Sequence, residues 1–552
     1  MHIHKGIILS FLTAALLLAG CAQSTPTGTG DVSVKSRAPQ IDPSRCEPEK
    51  EWWRSSDTPK RGGTVVSATQ PDTVTHFDVT SGGSTGVRVN QELIVSRGCY
   101  VGDLTLMPYL AKSWTISPDG LVWTFKLREG VKWHNVPPVN GRTFNSADVK
   151  FNMDIQLAGG NQRTLWEPIA KLDTPDPLTV VMTLKETDAD FGVKLTKTLM
   201  LAPEVKQQFG DFKSVGIGTG PFMVGTYKPG IERSLVRNPD YWEMGVDGKP
   251  LPYVDAATYP TFGDYTAELA AMRTNQIDVG QTLGYRKLDW DTLKKDNPKL
   301  VPWDYLITTP FAVFFNHAQK PWDDVRVRRA VAKAVNIEDL IASNSGGVLV
   351  TGYIPAFFKD YTLPEAKVRE RLKHDIEGAK KILADAGYKP GDIKAVLKTS
   401  ANYAQDAEIV QQQLRTIGIE TTMNSEGNAF SNVVRTKDFS ISAGVIGGSA
   451  WLSYFGHDVI TTGSSFNYWN FSDAEVDRLA KAQNRELDPA KRKQFVTQLE
   501  DRLAETIPFI PTVIRYYYYF YSCRSQNTMF ISSNATHNQQ YVTHMWLDDK
   551  TC

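Results

Sequence analysis

Leu121, Trp123, Phe125 and Leu127 alternate with Val122, Thr124, Lys126 and Arg128, and this period of two predicts a half-buried strand. Leu178, Val180, Met182 and Leu184 repeat the pattern against Thr179, Val181, Thr183 and Lys185. Between them the period changes. Asn145 can cap a helix on which Val149, Asn152, Met153 and Gln156 share one face, and Gly159-Gly160 ends it. The later chain is more helical. Asp375 caps a helix with Ala379, Ile382, Leu383 and Ala386 inward, stopped by Gly387. Ile409 to Ile417 is amphipathic and runs through Gly418 into a strand at Ile419 to Met423. Ser472-Asp473-Ala474-Glu475 reads as a capping box, and Asp488-Pro489 starts a helix with Phe495, Leu499 and Leu503 on one face. Strands and helices are interspersed, which predicts an α/β class.

The first residues carry a different pattern. His2, His4 and Lys5 precede an apolar run from Ile7 to Ala19, too short for the roughly 20 residues that span a bilayer. It ends in Leu18-Ala19-Gly20-Cys21, which resembles a bacterial lipobox, so residues 1–20 read as a lipoprotein signal and Cys21 as the lipidated residue. Residues 21–60 are rich in Ser, Thr, Pro and Gly and read as a flexible tether. No other run is apolar enough to span a membrane, so the remainder is expected outside the cytoplasm, anchored to the outer face of the cell membrane or in the periplasm.

Length adds that 552 residues should fold as two or three lobes. Charge adds that 61 basic and 61 acidic side chains give no basic excess, which argues against a nucleic-acid binder. Of 5 cysteines, Cys21 is assigned to lipid. Cys46, Cys99, Cys523 and Cys552 remain, and in an oxidising compartment they fit two disulfides with the pairing open. No cysteine spacing matches a zinc motif, and neither a metal nor a cofactor is expected. H-E-x-x-H and Walker patterns are missing, which argues against a secreted hydrolase. The run Gly216 to Gly220 meets Pro221 and a strand-like Phe222-Met223-Val224, so it reads as a tight turn and not a phosphate loop. His134, His317, His374 and His457 are scattered and read as surface or loop residues.

A series of landmarks then gives a resemblance. Gly62-Gly63-Thr64 comes first, followed by Pro108-Tyr109-Leu110-Ala111-Lys112-Ser113-Trp114. Gly130-Val131-Lys132-Trp133-His134 and Gly218-Thr219-Gly220-Pro221-Phe222 continue it. Arg237-Asn238-Pro239-Asp240-Tyr241-Trp242, the run Asp323 to Ala330, and Ile507-Pro508-Phe509-Ile510-Pro511 complete it. In this order the chain resembles the bacterial extracellular solute-binding proteins of family 5, the dipeptide, oligopeptide and nickel group of ABC importers. The resemblance implies a two-lobed Venus-flytrap, the periplasmic-binding-protein fold. Lobe I would take residues 61–305, with an extra subdomain near 105–210, and lobe II residues 306–512. Residues 513–552 would return to lobe I. It also implies a monomer without enzymatic activity that delivers a small solute to a membrane permease. A sensor or adhesion lipoprotein built on the same fold is the alternative. Most landmark residues are structural in this reading, with Arg326 and Arg328 on the solvated side of a helix.

The family's ligand contacts map onto four places. These are Thr80 and Ser81, Asn152 and Gln156 on the helix after Asn145, the stretch Gly447 to His457, and Arg515 with Tyr516. The third departs from the family. Peptide binders carry aspartates there, one of which anchors the ligand's ammonium. This chain offers Ser449, Trp451, Tyr454 and His457, with no carboxylate before Asp458. A buried ammonium without a carboxylate is costly, so simple peptides are in doubt. Trp451, Tyr454 and Phe455 then imply a ring platform for an apolar, planar or glycosidic ligand. The other reading is that Trp451 packs in the lobe and Asp458 serves as the anchor.

Overall fold

The two alternating runs are partners in space. Val122–Leu127 pairs antiparallel with Thr179–Leu184, with Trp123 opposite Met182 and Phe125 opposite Val180. Ala111–Ile116 and Ile169–Asp176 flank them in a four-stranded antiparallel sheet. Phe125, Leu127, Val180 and Met182 are completely buried, as a period of two on a one-sided sheet requires. The structure is a computed structural model. It describes residues 58–69, 77, 89–96, 104–160, 162–280, 285–344, 348–400, 403–425, 434–445, 449, 451–528 and 541–551, which all fall in the unit Arg37–Cys552. Thr80, Ser81, Cys21, Cys46, Cys99 and Cys552 lie outside the described residues.

The helix Ser146–Leu157 starts at Asn145, whose side chain accepts from Ala147 N–H while Asp148 answers to the backbone of Asn145. Its buried positions include Val149, Asn152, Met153 and Gln156, the predicted face. Two further sheets complete the frame. One runs in the order Thr64–Val66, Ala256–Pro260, Glu232–Arg237, Phe222–Lys228. The other has seven strands and is built on one long strand, Phe509–Tyr521. The first residues of this strand pair with Phe311–Phe315, and its last six with Val301–Leu306. Ile510 and Val513 therefore sit in a core of residues from 311–513, while Tyr519 and Tyr521 sit in one that includes Val65, Phe222 and Trp303. Side chains alternate along a strand, so Tyr518 and Phe520 face a different cluster, around Trp290. Trp303 stacks on Tyr519 at 4.5 Å between ring centres, which stiffens this half of the strand.

Several expectations are corrected. The cap before Ala474–Arg485 is Asp473, which accepts from Glu475 and Val476 N–H, so the motif is a single-residue cap and not a box opened by Ser472. The strand after Gly418 begins at Glu420, not at Ile419. Arg326 is exposed, but Arg328 is not on a solvated face. It is buried and donates to the carbonyls of Trp322, Asp323, Thr506 and Ile507, fastening the end of one helix to the end of another.

His134 is likewise no surface residue. It is completely buried, with Nδ1 accepting from Gly218 N–H and Nε2 against Gly220 O at 3.0 Å. That geometry fits the neutral ring with Nε2–H donating, and burial pushes its pKa down to about 4. The glycine run is the other half of this contact. A Cβ on Gly218 would meet Val89 O at 2.0 Å, so only glycine fits. Landmarks 84 residues apart in sequence thus form one packing unit.

Candidate functional site

The stretch from Leu452 to Asp458 is helical and ends in a single turn of π-helix, Tyr454–Asp458. Such turns are rare and recur at functional sites. This turn brings His457 and Asp458 together, with His457 Nδ1 at 2.9 Å from Asp458 Oδ1. Trp451 Nε1 donates to Asp458 Oδ2 at 3.3 Å. Both His457 and Asp458 remain partly exposed, at 27% and 17% of their side chains.

Behind Asp458 lies a set of buried charges that the sequence reading did not single out. The segment before the helix Phe191–Leu195 supplies Asp188 and Asp190, and the helix itself supplies Lys194. Lys194 Nζ is 2.7 Å from Asp188, with only 7% of its side chain exposed. Arg492 reaches Asp190 with two parallel hydrogen bonds of 2.8 Å each, and Ser453 N–H adds a third to the same carboxylate at 2.6 Å. Burial alone would raise the Asp190 pKa, but Arg492 and then Lys194 hold it down at about 2. Burial would also lower Lys194, yet Asp188 and then Asp458 raise it to about 12. Asp458 itself is lowered against burial by Lys194 first and His457 next. Asp190 and Asp458 are thus shifted toward the carboxylate and Lys194 and Arg492 toward the cation. Among the described residues three carboxylates face two cations, so one negative charge has no matching buried cation, and Asp458 is the most exposed of the three.

The aromatic residues of this stretch are largely buried. Trp451, Tyr454 and Phe455 are 7%, 5% and 2% exposed and belong to one core cluster, with Tyr454 set edge-on to both Trp451 and Phe455. They pack the lobe and do not present an open ring face. Trp451→Ala is therefore expected to lower the unfolding free energy by about 3–5 kcal/mol, as for other buried tryptophans, read from the urea midpoint. A variant as stable as wild type would return Trp451 to the ligand.

Asn152 is held within the protein. Its Nδ2 donates to Asp148 O and Leu201 O, and its Oδ1 accepts from Leu201 N–H, so its amide is fully engaged in tying the helix to the chain beyond it. Gln156 is buried, its Oε1 accepts from Gln162 N–H, and Gly160 closes over it. Among the described residues no hydrogen bond joins either to Asp458. Ser449 is buried. Arg515 forms an ion pair with the fully buried Asp406 and lies 4.8 Å from the centre of the Tyr403 ring, so its charge is matched within the protein. Tyr516 is half-buried and pairs through its backbone with Leu306. Arg492 carried a signal in the sequence. With Val496, Leu499 and Leu503 it follows the i, i+4, i+7, i+11 rhythm of an apolar face, where an arginine must have a buried partner.

Comparison with known proteins agrees with this architecture. The model of the bacterial extracellular solute-binding proteins, family 5, matches residues 105–468. The glutathione-binding protein GsiB of Escherichia coli is 27% identical over 440 residues, covering 75% of this chain and 81% of that protein. Its counterpart in Salmonella typhi is also 27% identical, over 436 residues. The oligopeptide-binding protein AppA from Bacillus subtilis, solved with a nonapeptide, superposes with a TM-score of 0.74 at 22% identity, covering 89% of this chain and all of that one. The binding protein AgaA, solved with agropinic acid, gives a TM-score of 0.74 at 23% identity over 88% of this chain and 99% of that one. The fold is thus the mixed α/β fold of the periplasmic binding proteins. The chain belongs to the bacterial extracellular solute-binding proteins, family 5. It is the solute-binding component of an ABC importer and works without enzymatic chemistry. No helix among the described residues is long and apolar enough to cross a membrane.

Proposed function

We propose that the protein captures a peptide-like solute carrying a free amino group, and that Asp458 holds this group. The carrying observation is the charge balance at the π-turn. The buried cations leave one carboxylate charge unmatched, and the partly exposed carboxylate is Asp458. A ligand ammonium entering there gains a charge-assisted hydrogen bond. Relatives that bind glutathione, and similar folds solved with peptides, support this class of solute. In this reading lobe I is 61–305, lobe II is 306–512, and closure about the long strand presents the loaded form to the permease. Mass spectrometry of small molecules released from the purified protein tests the proposal. An amine-bearing peptide or peptide conjugate is expected, and a sugar or an aromatic solute without an amino group would overturn it.

Two finer assignments accompany this reading. Cys21 carries the membrane anchor, so Cys21→Ser should move the protein from the membrane fraction to the soluble fraction or leave it unprocessed. A wild type that is fully soluble with an unmodified Cys21 would remove the anchor. Cys523 is buried and disulfide-bonded. Cys46, Cys99 and Cys552 complete two bridges with it, and non-reducing peptide mapping should recover all four as pairs. Free thiols at all four in unreduced protein would contradict this.

A further inference from the structure

We infer that a second cavity, away from Asp458, binds a small, singly charged organic anion with an apolar body. The cavity measures about 430 Å³ and opens among the helices Val325–Ala334, Glu365–Arg371 and Pro489–Thr506. Val368, Leu372, Ile507 and Ile510 give it an apolar floor. Tyr353 also lines it and is 8% exposed, and its hydroxyl has no hydrogen-bond partner among the described residues. The hydroxyl is not sealed off from the cavity, so a molecule entering there can accept from it.

The charge around the mouth sets the sign of that visitor. Arg329, Lys333, Arg371 and Lys373 line the cavity together with Glu370 and Glu500. Most of these are already matched. Lys333 is held by Asp375 at 3.0 Å, and Arg371 with Lys367 balances Glu500 and Asp501. Glu500 also accepts from Ile354 N–H at 2.6 Å. Arg329 donates only to the Glu505 carbonyl, and Lys373 has no ion pair among the described residues. These two cations against Glu370 leave one positive charge above an apolar floor with a free hydroxyl donor. An aromatic or branched monocarboxylate meets all three features, with its body on the floor and its carboxylate between Tyr353 and the two cations.

Calorimetry on the purified mature chain with phenylacetate tests this, with benzylamine as the opposite-charge control. Phenylacetate should bind saturably, one per chain, and Asp458→Asn should leave that binding unchanged. Arg329→Glu with Lys373→Glu, both exposed positions, should weaken it by about tenfold or more, and Tyr353→Phe by about fivefold. The site is overturned if phenylacetate shows no saturable binding, or if benzylamine binds as tightly. Loss of binding in Asp458→Asn, or indifference to both the charge reversal and Tyr353→Phe, would overturn it equally.

Discussion

Arg492→Ala is expected to cost about 3–5 kcal/mol of unfolding free energy in urea, because it leaves Asp190 as an unpaired charge inside the protein. Both partners are nearly inaccessible, with 8% and 4% of their side chains exposed. The cost comes from the carboxylate left behind more than from the bond lost. Removing both charges in Asp190→Ala/Arg492→Leu should therefore recover much of the stability, and the double-mutant cycle should show strong coupling. A loss below about 1 kcal/mol in the single variant would mean that water reaches Asp190 and that the pair is not a buried one. The pH dependence has a definite sign. The folded pKa of Asp190 is depressed to about 2, so its contribution is complete above the ordinary aspartate value near 4 and disappears as the pH falls toward 2. His134 and His317 act earlier. Both are pushed down to about 4 by burial, with Arg328 adding to the effect at His317. Their neutral forms favour the fold fully above about pH 6.5, and that support is lost as the pH falls from there toward 4. Wild-type stability is expected to decline in these two stages.

Asp458→Asn should weaken an amine-bearing peptide ligand by about thirtyfold or more, since removing one partner of a desolvated charge pair costs roughly 2–5 kcal/mol. The substitution keeps the shape and one acceptor oxygen, so Trp451 and His457 retain a partner and the fold should persist. Isothermal titration with the peptide recovered from the protein measures the loss, and the N-acetylated form of that peptide supplies the complementary arm. Acetylation should weaken binding to wild type by a similar factor and should make little further difference to Asp458→Asn. Equal binding of free and acetylated peptide would remove Asp458 as the anchor. The prediction concerns affinity and not folding, which sets it apart from Trp451→Ala and Arg492→Ala.

The periodic parts of this chain were legible without a structure. Alternation gave the strands around Trp123 and Met182, and the spacing of Val149, Met153 and Gln156 gave the buried face of the helix after Asn145. Asp375 and Asp488 were capping residues as read. These features depend on neighbours within a turn or a strand, where the sequence itself fixes the distances. The ordered landmarks carried the family, because packing units such as His134 with Gly218 and Gly220 leave residues of definite size and polarity at fixed places.

The site was legible only in part. Asp458 was present as one of two readings of its loop, and the burial of Trp451 that favours it comes from tertiary packing. Asn152 shared a face with core residues, and only the position of Leu201 showed that its amide is satisfied by backbone. Arg515 was read as a ligand contact, and only the fold showed that Asp406 lies beside it. The charge balance at Asp458 could not be read along the chain at all. Asp190 and Arg492 are 302 residues apart, and local pattern carries no information about which buried charge faces which. Sequence determined the elements, the family and the list of polar candidates, because these follow from short-range periodicity and residue chemistry. The tertiary structure alone decided which of those charges are paired inside the protein and which carboxylate stays partly exposed.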